Sequence, residues 1–191
     1  QTCALPISIG VERPQNVRGA RAKRFVHTDM VKKFPSGSKF VEIGSWKGKS
    51  SAYMAVEIAN STKNIEFTCV DTFLGSVCHQ GMEGLSELYD VFKNNMKPVE
   101  PYYRDLKMTS LEAVKLFEDN SLDFVFIDAC HEYDNVKADI MAWLPKVKPG
   151  GILAGHDYVE TWSGVIRAVN ELLPPTFYTK EYCWVYEIPS V

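Results

Sequence analysis

The stretch that decides the fold is Phe40-Val41-Glu42-Ile43-Gly44-Ser45-Trp46-Lys47-Gly48, in which a short apolar strand runs into a glycine turn. The pattern of Ser50 to Ala59 predicts that a helix follows the turn. Gly44 lets the backbone turn sharply and approach a ligand without a Cβ in the way. A helix that begins near Gly48 offers free N–H groups to an anionic group. Since an acidic residue, Glu42, stands two positions before the first glycine, the stretch predicts a ligand-binding turn rather than a purely structural one.

Strands and helices alternate along the rest of the chain. The pattern predicts further strands at Ile65–Val70, Tyr102–Tyr103, Asp123–Ile127 and Ile152–Ala154, and an antiparallel pair at Phe177–Tyr178 and Cys183–Ile188. It predicts further helices at Ala20–Phe34, Leu85–Met96, Ser110–Phe117, Tyr133–Leu144 and Trp162–Leu173, and a turn at Lys148–Gly151. This order is typical of an α/β fold with a doubly wound, mostly parallel sheet and an antiparallel C-terminal hairpin. Ligands of such sheets bind outside the carboxyl ends of the strands.

The length of 191 residues suits a single domain, which we place at residues 9–191. The first eight residues, QTCALPIS, can be back-translated into the end of a widely used sequencing adaptor, so we interpret them as a non-native N-terminal scar of metagenomic assembly. The segment of residues 75–101 has glycines at positions 75, 81 and 84 and then the pattern of a helix. It predicts either a mobile loop and helix that cover the substrate or an ordinary crossover helix after a long loop.

Composition excludes several classes of protein. Hydrophobic residues make up 46% and charged residues 24%, as in ordinary soluble proteins, and the net charge of -3 gives no basic field for nucleic acid. The small basic cluster Arg18, Arg21, Lys23 and Arg24 predicts a solvated helix face. No apolar run reaches the roughly 18 residues of a membrane span. Five cysteines without a C-x-x-C pair argue against a disulfide framework or structural zinc site and favour the cytoplasm.

Polar residues follow three of the predicted strands. Asp71 ends the second strand, where a carboxylate can accept both hydroxyls of a ribose; alone, it could simply cap a turn. Asp128-Ala129-Cys130-His131 and His156-Asp157 end two strands that a doubly wound sheet makes neighbours. Their carboxylates and imidazoles predict either a divalent metal site or acid–base chemistry, with His131 as the base. The alternative is that Asp128 only orients a cofactor and that His156 is a hydrogen-bonded core histidine.

The motifs together resemble a known family. The glycine turn, V-D-T-F at Val70–Phe73, F-I-D-A-C-H-E-Y-D-N-V-K-A-D-I and L-P-K-V-K-P-G-G-I-L-A-G-H-D-Y are similar to those of class I S-adenosylmethionine-dependent methyltransferases. The branch that the chain resembles is often labelled methyltransferase family 24. The resemblance covers roughly Phe34 to Tyr158, and the final hairpin suits the seven-stranded, Rossmann-like sheet of that class.

The resemblance also implies a role for individual residues. Those expected to bind S-adenosylmethionine are Glu42, Gly44, Ser45, Trp46, Gly48, Ser50, Asp71, Thr72, Phe73, Ser110 and Asp128. The turn would wrap the methionine portion, with Glu42 bracing it, while Asp71 would bind the ribose and Ser110 would lie near the adenine. Asp128 would sit below the methyl group, and the aromatic faces of Trp46 and Tyr158 are candidates to stabilise the sulfonium. The implied catalytic residues are His131 and Asp128.

A metal is a further expectation. Some sugar O-methyltransferases similar to this branch hold magnesium with an Asp at the fourth strand end and two acidic residues at the fifth, and place a histidine base three positions after that Asp. Asp128, His131 and Asp157 match this pattern, whereas His156 replaces an acidic residue. Asp128, His156 and Asp157 are therefore the candidate ligands of a divalent ion, magnesium or manganese.

The expected activity is O-methylation of a small-molecule or sugar acceptor, with His131 as general base. A non-catalytic S-adenosylmethionine-binding module is an alternative. A nicotinamide-dependent oxidoreductase is another, although it would need G-x-G-x-x-G where this turn has only Gly44 and Gly48. Neither the acceptor nor the oligomeric state can be read from the sequence.

Overall fold

The computed structural model describes residues 18–76, 79 and 81–190, so the proposed N-terminal scar lies outside the described residues. The α-helices are α1 (Arg18–Lys33), α2 (Lys49–Ser61), α3 (Leu88–Met96), α4 (Ser110–Ala113), α5 (Tyr133–Trp143) and α6 (Ser163–Leu172). The strands are β1 (Lys39–Ile43), β2 (Glu66–Asp71), β3 (Arg104–Lys107), β4 (Leu122–Ile127), β5 (Val147–Gly155), β6 (Tyr178–Lys180) and β7 (Cys183–Glu187). Within these ranges, no helix is both long and apolar enough to cross a membrane.

The strands form one seven-stranded sheet in the order β3-β2-β1-β4-β5-β7-β6. The first five strands are parallel, whereas β7 runs antiparallel to both β5 and β6. The predicted α/β fold, with its mostly parallel sheet and antiparallel C-terminal hairpin, is therefore confirmed. Ile127 pairs with Gly155, so the carboxyl ends of β4 and β5 are neighbours, as the sequence predicted.

The sheet separates two hydrophobic cores, because successive side chains of a strand point to opposite faces. In β4, Phe124 and Phe126 pack with buried residues of α1, α2 and α3, while Val125 and Ile127 pack with those of α4, α5 and α6. Buried strands covered on both faces read as continuous apolar runs, which is why D-F-V-F-I was recognisable in the sequence.

Two local predictions were wrong. The third strand lies at Arg104–Lys107 and not at Tyr102–Tyr103, because the turns of 3-10 helix at Lys97–Tyr102 extend to the first tyrosine. The alternation of charge in R-D-L-K suits a strand at the sheet edge, where one side meets solvent. The predicted turn at Lys148–Gly151 lies inside β5, since the register between β4 and β5 shifts there and the extra residues are taken up within the strand.

Helix α1 covers the face of the sheet that carries Phe124 and Phe126, which we call the first face. There it packs on α2 and contacts β7. Its buried residues Val26 and Met30 join the core there. The Lys63 ammonium donates to the carbonyl oxygens of Val31 at 2.6 Å and Phe34 at 2.7 Å, satisfying acceptors that the end of a helix leaves open. These contacts fix the C-terminal end of α1.

Candidate active site

The glycine turn after β1 has a backbone that only glycine fits. Gly44 has φ +89°, and a Cβ there would lie 2.3 Å from the carbonyl oxygen of Asp128. Its N–H donates to the Val70 carbonyl at 2.8 Å, so the turn is tied to both neighbouring strands. Gly48 caps α2 with φ +81°, and its Cβ would lie 3.0 Å from atoms of Phe92 and Met96. The sequence predicted a sharp turn at Gly44 and a helix that begins near Gly48, and the structure has both. The close packing of these glycines against Asp128, Phe92 and Met96 was not predicted.

Asp71 links the end of β2 to the glycine turn. One carboxylate oxygen accepts the Trp46 N–H and the other accepts the Phe73 N–H, both at 2.7 Å. Trp46 and Phe73 both have positive φ, 49° and 56°, so the carboxylate stabilises two strained turns at once. Asp71 thus brings the ends of β1 and β2 together around one acidic group.

Glu42 is buried beneath the same turn. It accepts a hydrogen bond from the Ser51 hydroxyl, while its other oxygen, Oε1, has no hydrogen-bond partner among the described residues. Burial raises the pKa of Glu42 to about 7, although the hydroxyls of Ser51 and Ser50 act against that rise. A buried acceptor without a donor is costly, so Oε1 of Glu42 is the atom beneath this turn that a further donor would stabilise most.

The structure does not bring all the predicted cofactor residues to one place. Ser45 is buried within the turn, whereas the Thr72 hydroxyl accepts the Leu74 N–H at 3.3 Å. The Phe73 ring is 2% exposed and packs against Tyr89 and Phe92, so it is part of the core.

Ser110 is held by the opposite face of the sheet. Its hydroxyl accepts the indole N–H of Trp143 at 2.8 Å and is hydrogen-bonded to Asp139. This places the side chain toward α5, and contact with an adenine stays a prediction.

One contact in this region was missed by sequence reasoning. The imidazole of His79 stacks on the indole of Trp46, with ring centroids 4.2 Å apart and planes 21° apart. His79 belongs to the predicted substrate-covering segment at residues 75–101. No local pattern could indicate this pairing, because the two rings come from different loops.

The ends of β4 and β5 form a cluster of acidic and imidazole groups. His131 Nε2 lies 2.7 Å from Asp157 Oδ2, and His156 Nδ1 lies 2.8 Å from Asp157 Oδ1. The same His156 nitrogen lies 3.6 Å from Asp128 Oδ1. Burial acts to raise the pKa of Asp157, but hydrogen bonds with His131 and His156 outweigh it, and the pKa falls well below its usual range. Asp157 is therefore ionised at neutral pH.

His131 is held in place on two sides. Its ring stacks on Trp162 at 4.0 Å with an interplanar angle of 18°. Gly164, in the first turn of α6, allows close approach: a Cβ there would lie 2.5 Å from the His131 carbonyl oxygen. Trp162 was predicted only as a helix residue, since nothing local indicates that it contacts His131. Nearby Tyr158 turns away, its hydroxyl donating to Asn170 at 2.8 Å.

Lys23 of α1 reaches into the cluster and forms an ion pair with Asp128 Oδ2. Its side chain is 22% exposed and that of Asp128 is 9% exposed. Burial acts to lower the pKa of Lys23, but the negative charges of Asp128, Glu42 and Asp157 outweigh it and the pKa is raised. The prediction that the basic cluster is a solvated helix face is wrong for Lys23, because the fold turns this residue inward.

The predicted metal ligands converge but do not suit magnesium. Asp128, His156 and Asp157 each offer one ligand atom, and these atoms lie within 4.8 Å of one another. Magnesium prefers oxygen donors in near-octahedral geometry, whereas one of these donors is an imidazole nitrogen. The Lys23 ammonium also already compensates Asp128. The donor set therefore does not fit magnesium as the chain is folded.

Known proteins resemble this chain in sequence and in fold. A family model described as a methyltransferase domain matches residues 41–158. The chain is 33% identical over 119 residues to an uncharacterized protein, y4gI, of Sinorhizobium fredii (strain NBRC 101917 / NGR234); the match covers 62% of this chain but only 13% of that protein.

Two solved structures share the fold at low sequence identity. The O-methyltransferase NovP has a TM-score of 0.69 and 17% identity, over 91% of this chain and 81% of its own. TomG of Streptomyces achromogenes, an O-methyltransferase involved in tomaymycin synthesis and solved in complex with S-adenosylmethionine, has a TM-score of 0.63 and 11% identity, over 91% and 81%. With the family model matching more than half of its length, the chain belongs to the methyltransferase-domain family 24, among the class I S-adenosylmethionine-dependent methyltransferases.

Proposed function

We propose that this methyltransferase transfers the methyl group of S-adenosylmethionine to an oxygen of a small-molecule or sugar acceptor, and that His131 removes the acceptor's proton. The observation that carries the proposal is the contact of 2.7 Å between His131 and the ionised Asp157, beside the cofactor end of the sheet. The O-methyltransferase fold of NovP and TomG supports the choice of oxygen as the methylated atom.

The residues after β1 and β2 fit the cofactor. Gly44 and Gly48 allow the turn to pack closely against Asp128 on one side and Phe92 on the other. The N-terminus of α2 would receive the carboxylate of the methionine portion. The amino group of that portion is a suitable donor for the unpartnered Oε1 of Glu42. Asp71 has lone pairs left for the ribose hydroxyls beyond those that accept the two backbone N–H groups. When bound, S-adenosylmethionine supplies an electrophilic methyl group.

The acceptor's proton would pass to Nδ1 of His131. Asp157 is ionised and can only accept, so a neutral His131 carries its hydrogen on Nε2 and its lone pair on Nδ1. As the oxygen–methyl bond forms, the sulfur–methyl bond breaks, the sulfonium becomes a neutral thioether and His131 becomes imidazolium. Asp157 stabilises that positive charge, and the stack on Trp162 keeps the ring oriented.

Residues 75–101 are proposed to border the acceptor. The contact of His79 with Trp46 supports this assignment, because it places the segment against the glycine turn. Magnesium is not part of this proposal, since the donor set of Asp128, His156 and Asp157 does not fit it. Manganese, which accepts an imidazole ligand more readily, is therefore tested separately.

Calorimetric titration tests the cofactor. We expect S-adenosylhomocysteine to bind and NAD⁺ not to bind; the reverse would favour an oxidoreductase. A panel of sugar and phenol acceptors with methyl-labelled cofactor then tests catalysis. Binding without transfer to any acceptor would favour the non-catalytic module.

The role of His131 is tested with His131→Ala. Turnover should fall by about 10²–10⁴, while the affinity for S-adenosylhomocysteine stays within about threefold of the parent. Lys146→Met, at the amino end of β5 and paired with Asp119, is the control and should keep full turnover. A His131→Ala enzyme as fast as the parent would eliminate the general-base role.

A further inference from the structure

The basic side chain of Lys23 occupies an unexpected place. It comes from α1, on the first face of the sheet, and its ammonium forms an ion pair with Asp128 at the end of β4. Asp128 is one of the three residues whose ligand atoms lie within 4.8 Å of one another. The lysine thus binds a group that a divalent ion would need.

The acidic groups around Lys23 require a cation. Asp128 is paired directly with Lys23, and Asp157 lies close enough for its charge to act on Lys23 as well. Uncompensated carboxylates of this kind are costly when removed from water, so a buried cluster is either paired or holds a metal. Here a positive charge fixed on the chain meets that need.

Among the described side chains, the next turn of α1 adds no second cation. His27, four residues after Lys23, is buried against the edge of Phe126, with a ring centroid distance of 4.9 Å. Neither of its ring nitrogens has a hydrogen-bond partner among the described residues. Burial, together with the charges of Lys23 and His156, lowers the pKa of His27 to about 3. Among the described side chains of α1, Lys23 is therefore the cation that meets the cluster.

We infer that Lys23 takes the place of a divalent metal ion, so that this methyltransferase holds a built-in ammonium at Asp128 and does not use a metal. The inference rests on the proposed function, because it concerns the same site. Polar groups lie in series from Lys23 through Asp128, His156 and Asp157 to His131. The widest step is the 3.6 Å between Asp128 Oδ1 and His156 Nδ1, which is an electrostatic contact and not a hydrogen bond. In this arrangement Lys23 is a positioning residue. It holds Asp128 at one end of this series of polar groups, while His131 acts as the base at the other end.

The test is a titration of the purified full chain with Mn²⁺. Binding is measured by calorimetry and by the electron paramagnetic resonance signal of free Mn²⁺. The parent protein should show no site that depends on Asp128. Lys23→Met should create one, with an affinity at least about tenfold above any binding by the parent. Adding Asp157→Asn to Lys23→Met should abolish that site. Lys23→Arg, which keeps the charge, should exclude Mn²⁺ as the parent does.

Lys33→Met is the matched control. It removes a lysine of the same helix whose ammonium lies 2.7 Å from Glu187 Oε1 in an exposed ion pair. This substitution should therefore create no manganese site. Two outcomes would overturn the inference: Mn²⁺ binding by the parent that Asp128→Asn abolishes, or a folded Lys23→Met that binds no Mn²⁺. If Lys23→Met fails to fold, Lys23→Gln and the titration of the parent decide.

S-adenosylhomocysteine titrations run in parallel keep this test separate from the proposed function. A parent protein that binds neither S-adenosylhomocysteine nor any acceptor refutes the proposed function, whatever manganese does. A parent that methylates an acceptor only with Mn²⁺ present, and not after EDTA treatment, keeps the function and refutes the role of Lys23.

Discussion

Two glycines with nearly the same positive φ allow the cost of backbone strain to be separated from the cost of a steric clash. Gly37, in the turn before β1, has φ +90°, and Gly44 has φ +89°. A Cβ at Gly37 would meet nothing within 4 Å. At Gly44 it would meet the Asp128 carbonyl oxygen at 2.3 Å and carbon at 2.6 Å, and the Ala129 Cα at 2.7 Å. Because these neighbours are backbone atoms, no side-chain rotation can relieve the contact.

The two alanine substitutions should therefore differ in cost. Each pays about 1–2 kcal/mol for a residue with a Cβ in a left-handed conformation. Gly44→Ala adds an overpacking cost of about 1–3 kcal/mol, since the ends of β1 and β4 must separate. At about 2–4 °C per kcal/mol for a chain of this size, Gly44→Ala should melt roughly 2–12 °C below Gly37→Ala. Urea unfolding of both variants provides the free-energy difference.

Ligand binding gives a second readout of the same pair. Saturating S-adenosylhomocysteine should raise the melting temperature of the parent and of Gly37→Ala alike, because a ligand at 100 times its Kd contributes about 2.7 kcal/mol. The shift should shrink or vanish in Gly44→Ala, whose turn no longer matches the ligand. Equal destabilisation by the two substitutions, or an unchanged ligand shift in Gly44→Ala, would refute the close contact between this turn and the end of β4.

Two further substitutions test the acidic groups. Asp71→Asn should weaken S-adenosylhomocysteine binding by about 10–100-fold in calorimetry, because an amide cannot accept from both Trp46 and Phe73; an unchanged Kd would contradict the role of Asp71. Burial raises the pKa of Asp139 to about 6, against a hydrogen bond with Ser110, so ionisation penalises the folded state as pH rises from about 4 to 6. Asp139→Asn should therefore stabilise the protein by about 2–3 kcal/mol above pH 6 and by nothing below pH 4, as measured by urea unfolding. A stabilisation that does not change with pH would show that it does not come from the ionisation of Asp139.

The parts of the fold that sequence predicted well are those governed by local rules. Strand β1 was predicted correctly, since it is apolar and ends at a glycine that needs positive φ. Strand β3 was misplaced because it is short, charged and at the sheet edge, whereas the neighbouring tyrosines look more like a strand. The glycine turn and Asp71 belong to the same local class, and the structure brings them together as expected.

The cluster at the ends of β4 and β5 was harder to predict than the glycine turn, because its contacts join residues that are distant in sequence. Asp128, His131 and Asp157 stand at strand ends, so their convergence followed from the strand order. Lys23 lies 105 residues from Asp128, in a basic segment whose pattern is that of a solvated helix, and no rule of spacing links the two. A sequence reveals that buried carboxylates need compensation, but whether an ion or a side chain provides it depends on which face of α1 turns inward. The balance of charge at this site is therefore a property of the tertiary packing, and the manganese titration of Lys23→Met measures it directly.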